Sequence, residues 1–244
     1  MAPIHKAARE GNVAALRRIL AGGVSPDVLD DHPVAFERMS PLLHLVEGYD
    51  GDDSATDDGR VACFELLRDA GANLEARLGG NSRGSTVLHY AAKGYPRVLS
   101  LLVEAGVNVN AANESGYTPL HWAARGDFRS STDCLEVLLK AGAAVNVKSN
   151  NFVGGPESFK TPFDVALKRG NRRMWPLFLR AGAEMPNHTV FTYPYIVRVR
   201  NAGGFKKYEQ AHLARITAIL APTPLLPPEL VRKILEFWLH AGYY

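Results

Sequence analysis

The stretch that decides the fold reads Gly-Tyr-Thr-Pro-Leu-His-Trp-Ala-Ala at Gly116–Ala124, followed by Cys-Leu-Glu-Val-Leu-Leu-Lys-Ala-Gly-Ala at Cys134–Ala143. Thr118 can cap the free N–H groups of a first helical turn, and Pro119 suits that turn because it has no N–H to leave unbonded. The apolar residues of both segments recur at helical spacing, and Gly142 is a typical helix stop. The stretch therefore predicts two amphipathic helices joined by a short link.

The same pattern recurs along the chain. Units that begin in the same way start near five positions: Ala2, Ser40, Thr86, Thr118 and Thr161. Each unit closes with a pair of large apolar residues shortly before a glycine, at Gly23, Gly71, Gly106, Gly142 and Gly182. Five starts and five ends in register predict a stack of helix pairs, in which each pair buries its apolar face on its neighbours.

Thr-Pro-Leu-His-x-Ala at Thr118–Ala123 resembles the signature of the ankyrin repeat, a unit of about 33 residues. The resemblance implies an all-α ankyrin-repeat solenoid of about five helix-turn-helix units with β-turn tips. We expect the repeat domain to span residues 1–189 and a helical C-terminal extension, residues 190–244, to cap the stack. The histidines three residues after the helix starts are expected to reach back to those starts, as in a capping box: His5, His89 and His121.

Composition limits the location and the kind of protein. The chain has 244 residues, 46% of them hydrophobic, and two cysteines. No apolar run approaches the ~18 residues of a membrane span, and the N-terminus lacks the apolar core of a signal peptide. We expect a monomer in the cytoplasm, with a nuclear location left open, and neither a secreted nor a transmembrane protein.

No motif in the sequence predicts catalysis, a cofactor or a metal site. The acidic segment from Asp50 fails as a calcium loop, because Ala55 stands where such a loop needs glycine and Val61 where it needs glutamate. Cys63 and Cys134 fall on the inward faces of helices in different units, too far apart for a disulfide. The chain is therefore predicted to be no enzyme and to need no cofactor.

A binding surface is the remaining prediction. In proteins that this chain resembles, partners bind the turn tips and the exposed face of each first helix, on the concave side of the stack. The matching candidate residues are Arg9, Glu10, Met39, Glu47, Arg77, Ser82, Arg83, Ser85, Lys93, Ala112, Glu114, Ser115, Tyr117, Arg125, Lys148, Lys160, Lys168 and Arg169. Tyr117 and the arginines are the expected energetic anchors, since aromatic residues and arginine dominate binding hot spots. Trp122 is expected to serve packing.

Charge is unevenly distributed. Residues 1–164 contain 16 Lys and Arg against 21 Asp and Glu, whereas residues 165–220 contain 10 against 2. The basic segment from Lys168 to Lys207 predicts a partner protein with an acidic patch. Nucleic acid is a weaker hypothesis, because few aromatic residues are interleaved with the basic ones as single-strand binding would favour.

The C-terminal tail carries a second resemblance. Leu226–Trp238 resembles the opening helix of an F-box, and His212–Thr217 with the helix after it is similar to a SOCS box. Both families recruit ubiquitin-ligase linkers, so the tail would make the chain a substrate-recognition adaptor of a cullin-type ligase. The docking residues would be Leu226, Pro227, Leu230, Ile234 and Trp238. The sequence leaves open whether the tail caps the repeat stack or docks a ubiquitin-ligase linker.

Overall fold

The computed structural model describes residues 2–30, 38–47, 56–78, 83–126, 131–150, 160–185 and 193–220, with Pro227, Glu229, Leu230 and Lys233. The chain divides into two compact units, Met1–Pro162 and Phe163–Tyr244. Helices dominate both units. No strand forms within these ranges, where Arg77 and Thr86 share an isolated antiparallel bridge.

The described part of the first unit contains four helix pairs. Its helices are α1 (Pro3–Arg9), α2 (Val13–Ala21), α3 (Pro41–Val46), α4 (Asp57–Asp69), α5 (Val87–Ala91), α6 (Pro96–Glu104), α7 (Pro119–Arg125) and α8 (Ser131–Lys140). The first helices pack in the order α1, α3, α5, α7, and the second helices in the order α2, α4, α6, α8. This arrangement confirms the predicted stack of helix-turn-helix units.

Local signals explain where the helices begin and end. The residues predicted to start each unit stand at or next to the N-cap, and proline occupies the first turn in most first helices. Second helices end before a glycine in the left-handed region, as at Gly71 with φ of 85° and Gly142 with φ of 81°. Glycine adopts this conformation without the clash that a Cβ would cause. Between these limits, leucines such as Leu67, Leu102 and Leu138 are fully buried.

The turn tips of the first unit are linked to one another by backbone hydrogen bonds. Glu114 N–H donates to the Arg83 carbonyl at 2.8 Å, and Asn150 N–H donates to the Ser115 carbonyl at 2.8 Å. The Asn113 side chain shapes the middle tip, because its Oδ1 accepts from two backbone N–H groups within the same turn. Each tip therefore depends on the position of its neighbour.

Gly116→Ala tests this dependence. Gly116 has a φ of 71°, and a Cβ there would lie 2.7 Å from Asn150 N. We expect a loss of about 2 kcal/mol in the free energy of unfolding, because the left-handed backbone is strained and the contact between tips must open. Gly142→Ala is the matched control: its φ is 81° but nothing lies within 4 Å, so about 1 kcal/mol is expected. Urea denaturation followed by circular dichroism measures both. Equal losses would show that the tips separate without cost.

The second unit is built around a fifth helix pair. Helices α9 (Pro162–Arg169) and α10 (Trp175–Arg180) form this pair, with a short 3-10 turn between them. Helices α11 (Pro194–Asn201) and α12 (Phe205–Leu220) follow, in the C-terminal extension that was expected to be helical, and α12 packs on α10 and α11. Most of Leu226–Trp238, the segment that resembles an F-box helix, lies outside the described residues.

Aromatic side chains form the interior of the second unit. Trp175 is 2% exposed, and its indole N–H donates to the Ala166 carbonyl at 3.3 Å. Its ring lies 4.8 Å from the ring of Tyr193 and 6.0 Å from that of Tyr195. At the surface, Arg180 pairs with Glu209 of α12 at 2.9 Å. The helices after the fifth pair therefore share one core with it.

Candidate functional site

Two buried histidines join the repeats of the first unit. Nδ1 of His89 accepts from the Thr86 N–H at 3.1 Å, and its Nε2–H donates to the Tyr117 carbonyl at 2.9 Å. His121 makes the equivalent bonds one repeat later, to its own N-cap residue at 3.0 Å and to the Lys160 carbonyl at 3.0 Å. Both histidines cap their own helix and bind the next tip, so the predicted structural role is confirmed for them.

The carbonyl partner determines the tautomer of His89. A carbonyl only accepts, so Nε2 carries the proton and Nδ1 is left as the acceptor. Burial, with smaller effects from the nearby Arg77 and His121, lowers the pKa of His89 to about 4 against the raising effect of the Tyr117 carbonyl. The ring is neutral at physiological pH with both nitrogens bonded. Its fixed position also supports Trp122, whose ring meets the His89 ring edge-on.

His5 differs from the other two. Its Nε2–H donates to the Val28 carbonyl at 2.8 Å, but the N-cap residue Ala2 has no side chain to bond, and Nδ1 has no partner among the described residues. The ring instead meets the ring of His44 edge-on, with centroids 5.1 Å apart. The capping-box prediction is therefore wrong for His5, which bonds to the next tip but not to its own helix start.

His44 belongs to a buried pair that the sequence did not reveal. Its Nε2–H donates to Asp30 Oδ2 at 2.9 Å, and Asp30 Oδ1 accepts from the Met39 N–H at 2.8 Å. Burial alone would raise the pKa of Asp30, but the bonds from Met39 and His44 hold that pKa below its usual value. Burial lowers the pKa of His44. The pair is therefore a carboxylate hydrogen-bonded to a neutral imidazole.

The predicted binding residues fall into three classes of exposure. Most side chains are exposed: Arg9, Glu10, Arg77, Arg83, Ala112, Glu114, Arg125, Lys148, Lys168 and Arg169. Five are half-buried: Glu47, Lys93, Ser115, Tyr117 and Lys160. Two are buried, Met39 at 8% and Ser85 at 0% exposure. Both lie on the inner side of a turn tip, just before a first helix. Ser82 lies outside the described residues.

The tips bring one group of these residues together. Nη1 of Arg77 donates to the Ala112 carbonyl at 3.0 Å and to the Gly84 carbonyl at 3.0 Å. Nη1 of Arg83 donates to Ser115 Oγ at 3.2 Å. These arginines bridge neighbouring tips, so part of their hydrogen-bonding capacity already serves the fold.

A second cluster of side chains lies at the first helices and includes one candidate residue, Lys93. We call it the aromatic platform, and it consists of Tyr90, Lys93 and Trp122. The Lys93 ammonium lies 4.6 Å from the centre of the Tyr90 ring and 4.7 Å from the centre of the Trp122 ring. Those two rings are 5.1 Å apart, and Trp122 also meets His89 edge-on at 5.6 Å. Trp122 packs as predicted, but it is only half-buried. A partner can therefore reach it.

Sequence reasoning missed the platform although a signal was present. Tyr90 follows His89, and Trp122 follows His121 at the equivalent position of the next repeat. Because α5 and α7 are neighbours, residues at equivalent positions lie side by side. Two aromatic residues at one repeat position predict a shared aromatic surface.

In the described part of the chain, no group of three or more His, Cys, Asp or Glu side chains could hold a metal ion, and no helix is both long and apolar enough to cross a membrane. Cys63 and Cys134 are buried, and burial raises their pKa values to about 11 and about 12. Both thiols therefore stay protonated at physiological pH.

Comparison with known proteins identifies the repeats. A family model described as ankyrin repeats (3 copies) matches residues 53–149. SH3 and multiple ankyrin repeat domains protein 2 of Homo sapiens is 31% identical over 172 residues, covering 70% of this chain and 8% of that protein. Ankyrin repeat and SOCS box protein 16 of Homo sapiens is 37% identical over 117 residues, covering 48% and 23%. Ankyrin repeat and KH domain-containing protein mask-1 of Caenorhabditis elegans is 23% identical over 228 residues, covering 93% and 8%. The chain thus spans less than a quarter of each of these relatives.

Proposed function

Because the chain is an ankyrin-repeat protein, we propose that it is a non-enzymatic module that binds a partner protein on its first-helix face. This face consists of the exposed residues of α1 and α7, the residues just past the ends of the buried helices α3 and α5, and the turn tips, on the concave side of an ankyrin stack. The aromatic platform is the observation that carries the proposal. It presents a half-buried tryptophan and a lysine among the candidate binding residues of the first unit.

The platform has the properties of a binding hot spot. Tryptophan, tyrosine and arginine carry most of the binding energy in protein interfaces, usually from well-packed central positions. Trp122 is in contact with His89, Tyr90 and Lys93. Since His89 is itself bonded at both nitrogens, the rings are held before a partner arrives. Little side-chain entropy is then lost on binding, which favours affinity.

Charge supports an acidic partner. The Lys93 ammonium lies 4.7 Å from the centre of the Trp122 ring, and the exposed Arg125 follows Trp122 by three residues on α7. In the second unit, Lys168, Arg169 and other cations give residues 165–220 ten basic against two acidic residues. A partner with an acidic patch would be attracted by both regions and more strongly at low salt.

The test is affinity capture from cell extract with the full chain, followed by titration of the captured protein. We expect K93A/W122A/R125A to weaken its binding at least tenfold while the melting curve stays cooperative. The control variant E65A/E104A/K140A removes exposed charges from second helices and should bind as the wild type does. If the first-helix variant kept full affinity, the placement of the site would be wrong.

The alternative is a substrate-recognition adaptor of a cullin-type ubiquitin ligase. It is supported by the similarity to a relative named for its SOCS box and by the exposure of Leu230, 47%, in the predicted docking segment. Pro227 is exposed as well, whereas Leu226, Ile234 and Trp238 lie outside the described residues. In the same capture, cullin linker proteins that come down with the wild type and are lost with Leu230→Glu would favour the adaptor. Retention of the linkers by that variant would count against docking through this segment.

We also propose that the C-terminal extension, residues 190–244, caps the repeats. Its described helices pack on the fifth pair through Trp175, Tyr193 and Tyr195, and Arg180 pairs with Glu209. A terminal helix pair would otherwise expose an apolar side, and repeat arrays need a cap with a polar outer face. The exposed Arg198 and Arg200 of α11 provide such a face.

A further inference from the structure

One position of every first helix in the first unit points to the kind of partner that the face binds. Seven residues after each helix start stand Arg9, Glu47, Lys93 and Arg125, in four successive repeats. Three of the four are cations, and all lie at or just past the end of their helix. Because the first helices pack in order, these side chains form a row. Lys93 and Arg125 are neighbours in that row.

The spacing of the row is set by helix packing. Neighbouring helices lie about 8–10 Å apart, so equivalent residues of α5 and α7 are separated by about the same distance. A polyproline II segment has three residues per turn and rises about 3.1 Å per residue, so its residues i and i+3 share a side about 9 Å apart. A β-strand brings residues i and i+2 to one face at about 7 Å, which fits the row less well.

The aromatic platform supplies the second element of such a site. Trp122 precedes Arg125 by one helical turn, and its ring packs against Tyr90 beside Lys93. The half-buried indole thus lies against Lys93, 4.7 Å from its ammonium, and one helical turn before Arg125 on the same helix. Aromatic-lined surfaces bind proline-rich segments because the polyproline II conformation is already formed and presents rigid apolar rings.

We propose that the first-helix face binds an acidic polyproline II segment of the partner, with carboxylates at every third residue. One carboxylate pairs with Lys93, the next pairs with Arg125, and a proline between them packs on Trp122. The inference rests on the proposed function, and it specifies the chemistry and the periodicity of the partner.

Two synthetic peptides of identical composition test the periodicity. The first is a fluorescein-labelled peptide of four Glu-Pro-Pro triplets. The second contains the same four glutamates and eight prolines, with the glutamates at alternate positions of its first eight residues. Fluorescence anisotropy with the full-length chain should give at least tenfold tighter binding for the triplet peptide. K93Q/R125Q and W122A should each remove this preference, and E65A/E104A/K140A should keep it.

Three results would overturn the proposal. Equal affinity for both peptides would mean that charge alone is recognised. Preference for the triplet peptide that survives in W122A and K93Q/R125Q would place the site elsewhere. Absence of binding to either peptide would exclude this class of ligand. The capture experiment distinguishes failure of the peptide proposal from failure of the proposed binding face. If the peptides fail but a captured partner still depends on Trp122 for binding, the binding face stands. If neither the peptides nor a captured partner depends on Trp122, the binding face is wrong as well.

Discussion

Asp30→Ala is expected to destabilise the first two helix pairs by about 3 kcal/mol. Asp30 is 2% exposed, and its carboxylate accepts from the Met39 N–H and from His44 Nε2. Alanine would leave both donors buried without an acceptor, and it would remove a charge-assisted bond. Urea denaturation measures the total loss. Hydrogen exchange should show faster amide exchange in α1 and α3, which pack together around this pair.

Asp30→Asn is the matched control for this result. The amide oxygen can still accept from the Met39 N–H, and the amide NH2 can donate to His44 Nε2. His44 must then carry its proton on Nδ1, which has no hydrogen-bond partner among the described residues and lies 3.8 Å from Glu47 Oε2. We expect a loss of about 1 kcal/mol for this exchange of bonds. If asparagine were as damaging as alanine, the charge of Asp30 and not its hydrogen bonds would hold the repeats.

The Asp30–His44 pair also shows where sequence reasoning fails. The rule that a histidine follows the helix start by three residues finds Leu43 after Ser40, and so finds no histidine link in the second repeat. His44, one residue later, bonds instead to a carboxylate 14 residues upstream. This bond joins side chains 14 residues apart, and no local pattern in the sequence encodes such a contact. The prediction of stacked helix pairs did not need it.

The fold was predictable because its signals are local and repeated. Thr118 and Thr86 cap helices, prolines open them, and glycines such as Gly142 end them, each through the conformation of a few residues. The binding face was less predictable because it is formed between repeats. Ser85 was predicted to be a surface residue because it lies in a turn tip. In the structure it is buried, and its hydroxyl accepts a hydrogen bond from Asn113 Nδ2 of the next tip. The candidate residues that remain exposed stay a prediction until a partner is tested on them.

Lowering the pH from 7 to 4 is expected to cost the protein about 3 kcal/mol of unfolding free energy through His89 alone. Its pKa in the folded protein is about 4, against an ordinary value of 6.5. Above pH 6.5 the ring is neutral in both states, and the stability is complete. Between pH 6.5 and 4 the unfolded chain binds a proton that the folded chain excludes, so stability falls over this window. Below pH 4 both states are protonated, and this contribution falls no further.

The excluded proton has a structural cause. Protonation of His89 would place a hydrogen on Nδ1, directly against the Thr86 N–H that now donates a hydrogen bond to Nδ1. It would also place a positive charge in a buried site near Arg77. His89→Gln isolates the effect, since glutamine can occupy the same position of a capping box but does not titrate. The variant should be less stable than the wild type at pH 7, and its stability should fall less between pH 7 and 4. Urea denaturation at pH 7, 5.5 and 4 gives both slopes. Parallel slopes for the two proteins would show that His89 accepts the proton without opening the helix start, and that acid sensitivity arises at another group such as His44.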